Sequence, residues 1–182
     1  MPTQAIVGRP EAGEHAPYHD RYISLIQEPD VLSVLERQLG VTSAALKSVP
    51  ESFGNFRYAD GKWSVKEVVG HMSDTERIFA YRALRIARND QTPLPGFEQE
   101  DYIRWGNFQN CRLSDLIEEF ATIRKTTLSL FRGLAQDAWS RRGTVDNNQV
   151  SVRAMAFIIA GHEAHHQRIL QEKYFRSQQS IA

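Results

Sequence analysis

Apolar residues recur at helical spacing in four segments of the chain. In the first, Val31, Leu32, Leu35, Leu39, Leu46 and Val49 run between a start signal at Pro29–Asp30 and a stop at Pro50. Gly40, Val41 and Thr42 weaken its middle without breaking the pattern. The second opens on Ser64 and Glu67, which fit a capping box, with Trp63 and Val68 placed to staple the entry. Its stripe, Val65, Val68, Met72, Thr75, Ile78, Phe79, Arg82 and Ile86, predicts a helix from Val65 to about Arg88. In the third, Leu113, Leu116, Ile117, Phe120, Ile123, Thr127, Leu130, Phe131 and Leu134 make a nearly unbroken stripe. The fourth follows a cap at Ser151 and runs to about Phe175.

The connections are unequal. Residues 91–110 hold Pro93, Pro95, Gly96 and four aromatics, and a connection this long without its own structure is often functional. A loop through Gly143 and Asn147–Asn148 joins the third and fourth helices, and no strand pattern stands out. Residues 1–28 carry Pro2, Gly8, Pro10, Gly13 and Pro17 and read as an irregular N-terminal arm, draped on the body by Tyr18, Tyr22, Ile23 and Leu25. The expectation is an all-α protein: one four-helix-bundle domain over 29–176, a long crossover between the second and third helices, and a tail at 177–182.

Composition narrows the function classes. The 182 residues suit one domain, and 41% hydrophobic with 24% charged residues excludes a mostly disordered chain. The 22 Lys and Arg balance the 22 Asp and Glu, which gives no basic surplus for nucleic acid or an anionic membrane. No apolar run approaches the roughly 18–20 residues of a membrane span, and Met1–Pro10 lacks a signal-peptide core. Cys111 is the one cysteine, which excludes an intramolecular disulfide and agrees with a cytoplasmic setting.

Histidines supply the chemistry. His162 and His166 are four residues apart and share a helix face with Met155, Ile159, Ile169 and Leu170. His71 lies in line with Val68, Thr75 and Ile78. Three imidazoles from two helices thus face the core, where polar rings are costly unless they are partnered. Neutral imidazole is a good ligand for Zn, Ni, Cu or Fe. Three protein ligands with open remaining positions is the arrangement of a catalytic metal rather than a structural one.

His162-Glu163-Ala164-His165-His166 also spells H-E-x-x-H, a zinc-protease signature. Against that reading, Glu163 and His165 each lie about 100° off the ligand face in a regular helix. A downstream third ligand has only the 16 residues after His166 to sit on.

The chain resembles the DinB/YfiT-like superfamily of bacterial four-helix-bundle metalloproteins. The resemblance is carried by Gly61-Lys62-Trp63-Ser64-Val65-Lys66-Glu67 leading into His71, by Asp74-Thr75-Glu76-Arg77 and by Tyr81-Arg82-Ala83-Leu84-Arg85. Pro95-Gly96-Phe97 and Ala160-Gly161-His162-Glu163-Ala164-His165-His166 complete it, over about Tyr18 to Tyr174. It implies a divalent metal, commonly Ni or Zn, on the positions of His71, His162 and His166, and often a homodimer. It also implies an enzyme for a small-molecule substrate: a transferase using a low-molecular-weight thiol, or a metal-dependent hydrolase. A non-catalytic metal- or ligand-binding bundle is the alternative outside enzymes.

Supporting residues are secondary candidates. Thr75 would line the pocket, and Arg82 would reach an anionic group of a cofactor or substrate. Trp63, Phe97, Tyr102 and Trp105 would wall its mouth or anchor loops. Asp74 and Glu76 are expected in surface or helix-packing pairs, Arg85 and Arg153 in ion pairs, and Cys111 as an ordinary half-buried thiol.

Overall fold

The computed structural model describes residues 7–176, so the tail expected at 177–182 lies outside the described residues. The four long helices form where the stripes predict them: α2 (Val31–Lys47), α3 (Val65–Ala87), α5 (Leu113–Arg132) and α6 (Val152–Ile169). Asp30 caps α2, Ser64 and Glu67 close a reciprocal capping box on α3, and Ser151 caps α6. The last helix continues as a π-helical segment, Leu170–Phe175.

Smaller elements lie between and before the long helices. A short helix α1 (Asp20–Ile23) follows a 3-10 turn at Pro17–His19, and Tyr22 and Ile23 on it are buried while Tyr18 is exposed. The connection between α3 and α5 carries α4 (Gln99–Trp105) and a 3-10 turn at Phe108–Asn110. Residues between α5 and α6 form an antiparallel hairpin, β1 (Arg142–Val145) and β2 (Asn148–Ser151), where the sequence shows only a loop. Four residues per strand are too few for alternation to register. The turn, Asp146-Asn147, has both residues at positive φ, the conformation of a tight hairpin connection.

The core explains the crossover. One apolar cluster gathers the start of α2, the end of α3, the end of α5 and the start of α6. A second gathers the end of α2, the start of α3, the start of α5 and the segment after α6. Therefore α2 and α6 run one way along the bundle, and α3 and α5 run the other. Helix α3 packs chiefly on α5 and α6, and α2 packs on the same two. The neighbours α3 and α5 are parallel, so the chain leaving Ala87 must return the length of the bundle before Leu113. At 1.5 Å per residue, α3 is roughly 35 Å long, which a short hairpin loop cannot span.

A buried polar layer separates the two apolar clusters. It holds Gln38 and Thr42 of α2, Glu76 of α3, Arg124 of α5 and Glu163 of α6. Arg124 donates to both carboxylate oxygens of Glu76 at 2.8 and 2.7 Å and to the Leu35 carbonyl at 3.1 Å. Its guanidinium lies 2.5 Å from Glu163, which also accepts from the Thr42 hydroxyl at 2.5 Å. One cation thus ties four helices at mid-height.

Candidate metal centre

The three sequence-predicted histidines meet at the level of this polar layer. The Nε2 atoms of His71 and His162 are 3.0 Å apart, and those of His162 and His166 are 3.1 Å apart. All three residues can offer ring nitrogens within 4.8 Å of one another, and all are buried. Burial comes first among the causes that hold His71 down to about 4, followed by the charge of nearby His165. The same burial, reinforced by the neighbouring rings, holds His162 and His166 well below the ordinary imidazole value. At neutral pH the cluster is therefore three uncharged imidazoles.

That set fits a divalent cation. Neutral imidazoles are the ligating form. A cation about 2.0–2.1 Å from each nitrogen separates ligand atoms by roughly 3.0–3.4 Å, depending on the coordination angle. The Nδ1 of His166 is buried with no hydrogen-bond partner, and its Nε2 meets the Nε2 of His162, so hydrogen bonding within the protein leaves this ring half satisfied. Thr75 supports His71, its hydroxyl standing 3.5 Å from the ring Nδ1.

Local structure positions each ligand. The capping box fixes the start of α3, two turns before His71. Tyr174 donates to the Trp63 carbonyl at 2.6 Å, and the Trp63 ring lies 4.7 Å from that of His71 and parallel to that of His166 at 6.5 Å. Tyr22 of α1 meets His162 edge-on at 5.4 Å and His165 at 5.6 Å. A glycine precedes the first ligand on each helix. A Cβ on Gly161 would lie 2.1 Å from the Tyr22 carbonyl oxygen, so only glycine lets α1 lie against α6 there. A Cβ on Gly70 would meet the Phe108 ring at 2.3 Å.

A cavity of about 380 Å³ opens beside His71 and His162. The floor is α3, through Thr75, Phe79 and Arg82. Tyr18, His19 and Tyr22 form one wall, and Asp146 and Asn148 of the hairpin form another. Arg82 is 6% exposed, donates to the Pro95 carbonyl at 2.6 Å and lies over Phe79 and Phe97. Both secondary candidates, Thr75 and Arg82, thus face the same space as the histidines.

Other predicted residues lie elsewhere. Glu163 of the H-E-x-x-H string is 2% exposed and engaged by Thr42 and Arg124, and His165 is outside the cluster of three. Phe97 reaches the cavity, but Trp105 is 80% exposed and walls nothing. Tyr102 packs on Phe97 at 5.2 Å. Asp74 pairs with Arg77, Arg85 with Asp90 and Arg153 with Glu14. Cys111 contacts the Asn107 carbonyl, away from the cavity.

Sequence reasoning missed His19 as a cavity residue. Burial is the first cause pushing it down to about 4, followed by the charges of His15 and Arg82, and its Nδ1 is buried without a partner. The irregular pattern before Asp20 gave no face on which to place it. Asp146 and Asn148 were missed with the hairpin, although Asp146-Asn147 is a turn signal.

The sequence pattern of the DinB superfamily matches residues 35–170. A protein of Oceanobacillus iheyensis named "Putative metal-dependent hydrolase" is 26% identical over 111 residues, which is 60% of this chain. The chain spans 63% of that relative's length. YfiT from Bacillus subtilis, described as a probable metal-dependent hydrolase with an unusual four-helix bundle topology, superposes with a TM-score of 0.69. Its identity is 17%, with 93% of each chain covered. A mycothiol-dependent maleylpyruvate isomerase superposes with a TM-score of 0.65 at 13% identity, covering 80% of this chain and 61% of that one. At such identities the structural likenesses establish the shared fold.

Proposed function

The chain belongs to the DinB superfamily, and on that premise we propose that it is a divalent-metal-dependent enzyme that uses a low-molecular-weight thiol to attack a small electrophilic substrate. The observation that carries the reading is the convergence of three buried, uncharged imidazoles, two of which, His71 and His162, line an open cavity. His71, His162 and His166 would hold the ion, with Ni or Zn suited to three neutral nitrogen ligands. A bound divalent cation would supply Lewis acidity, which lowers the pKa of a thiol or water that reaches it.

The chain's own residues do the rest. Thr75 steadies the His71 ring, and Trp63 and Tyr22 cover the outer edges of the imidazoles against water. Arg82 offers a cation to an anionic group of thiol or substrate. The preference for a thiol over water rests on the nearby carboxylates. Glu76 and Glu163 are both committed to Arg124, so neither is free to take a proton from a water beside the triad. A thiol needs less help, because its ordinary pKa is already about 8.5. The hydrolase reading is supported by the names of the Oceanobacillus and Bacillus proteins.

The proposal includes a cytoplasmic homodimer built on one bundle domain over 29–176. No helix among the described residues is long and apolar enough to cross a membrane. The test is elemental analysis of protein purified without a histidine tag, beside His71→Ala and His162→Ala. About one Ni or Zn per chain, lost in both variants, is expected, followed by metal-dependent conjugation of a thiol to monochlorobimane. Absence of metal after reconstitution, with the variants as stable as the parent, refutes the site. Metal-dependent ester or amide hydrolysis without thiol conjugation would replace transferase with hydrolase.

A further inference from the structure

Arg82 departs from how this protein treats Arg124, the other buried arginine among the described residues. Arg124 is fully buried against Glu76 and Glu163, and even the half-buried Arg153 is paired with Glu14. Arg82 is 6% exposed, yet no carboxylate oxygen lies within 4.0 Å of it among the described residues. Its hydrogen bond goes to the Pro95 carbonyl, which uses one of five donors. Two carboxylates line its cavity, Glu98 and Asp146. Asp146 lies against Gly96, with an oxygen 3.0 Å from where a Cβ would stand, and Glu98 forms no ion pair with Arg82. Asp146 therefore attracts the guanidinium through space without satisfying it. Burial weakens the hold of Arg82 on its proton, the sign of a cation short of solvation. His19, uncharged at neutral pH, adds no competing charge.

Position links this cation to the histidines. Arg82 is eleven residues after His71 on α3, so the two project from nearly one face, about 16 Å apart along the axis before the arginine leans back towards the helix start. Thr75 and Phe79 form the floor between them, with Met155 and Val150 also on the lining. The space therefore has a cationic end, an apolar middle and a ligand-bearing end.

We propose that this cavity takes a small monoanionic carboxylic acid, with its carboxylate on Arg82, its hydrocarbon or aromatic body over Phe79, and its reacting end at His71 and His162. The guanidinium fork matches a carboxylate in two parallel hydrogen bonds. The negative charge of Asp146 at the same end disfavours a dianion such as a phosphate monoester. The placement of the reacting end rests on the function proposed above, whereas the carboxylate subsite does not need a metal.

The test is calorimetry on chelator-treated, metal-free protein, because a carboxylate also binds metal directly. The probes are 3-phenylpropionate, its uncharged amide and phenyl phosphate, with the parent, Arg82→Gln and Arg82→Lys. Roughly tenfold or tighter binding of the acid over the amide is expected for the parent, with phenyl phosphate weaker than the acid. Arg82→Gln should abolish the preference by weakening the acid far more than the amide, and Arg82→Lys should keep part of it. If Arg82→Gln fails to fold, the parent ratio and the lysine variant decide. No binding of the acid at millimolar concentration, no preference over the amide, or a preference that survives Arg82→Gln overturns the proposal. Tighter binding of phenyl phosphate overturns the choice of a monoanion. An Arg82-dependent preference in a protein that takes up no metal would keep this subsite and refute the metal-dependent reading.

Discussion

Arg124→Met should be among the most destabilising single substitutions in the bundle. Arg124 has no exposed surface, and its two carboxylate partners are 3% and 2% exposed. Removing one partner from a buried ion pair costs about 3–5 kcal/mol, because the charge left behind is neither solvated nor paired. The Leu35 carbonyl loses its donor as well, for about 1 kcal/mol more. The expected loss of about 4–6 kcal/mol lowers Tm by roughly 8–24 °C in a protein of this size. Urea unfolding followed by circular dichroism measures it, at neutral pH and near pH 5. Burial raises the Glu163 carboxyl above its ordinary 4.5 even with Arg124 present. Without the cation the Glu163 carboxyl holds a proton in the folded state that the unfolded chain releases. Stability of the variant therefore falls as pH rises through the window above about 4.5, and its deficit is smaller near pH 5 than at neutrality. Combining Arg124→Met with Glu76→Leu and Glu163→Leu should regain most of the loss, as apolar replacement of buried ionic groups does elsewhere. A deficit under about 1 kcal/mol at neutral pH, or one that does not shrink towards acid, refutes the reasoning.

Two further predictions concern the centre and its supports. The metal-free protein should lose stability as pH falls from 6.5 towards about 4, since His71 is lowered to about 4 when folded and the unfolded chain takes up its proton first. Melting curves of chelated protein across that range check this, and a flat profile would contradict it. Gly161→Ala should destabilise by about 1–3 kcal/mol, despite alanine's better helix propensity, because its methyl meets the Tyr22 carbonyl. Gly40→Ala, where nothing lies within 4 Å, should instead stabilise; equal responses at the two glycines would remove the argument for close approach.

Periodicity made the triad legible. His71 lies on the stripe of α3, and the four-residue spacing of His162 and His166 puts both on one face of α6. The polar layer beneath was far harder to read. Glu76, Arg124 and Glu163 are ordinary surface residue types, and only the way four helices come together shows that each satisfies the others. Arg124 stands one turn after Phe120 and beside Ile123 of the stripe, yet a single arginine there reads as a snorkelling side chain. The cavity was half legible. Thr75 and Arg82 follow from the helix that carries His71, whereas His19 and Asp146 come from segments without a period, and only their packing brings them in.

The directions of the helices set the order in which this protein can assemble. In an up-and-down bundle, consecutive helices zip together as local hairpins. Here α2 and α3 stand at opposite corners, α3 and α5 are parallel across a long return, and α5 and α6 are again at opposite corners. No pair of consecutive long helices offers a cheap nucleus, so distant segments must close on one another before their contacts can repay the lost chain entropy. Folding should accordingly be slower than in a hairpin-built bundle of equal length. His71 and His162, 91 positions apart, meet only when α6 docks on α3. A half-built bundle or a stalled intermediate would carry all three imidazoles and still have no site.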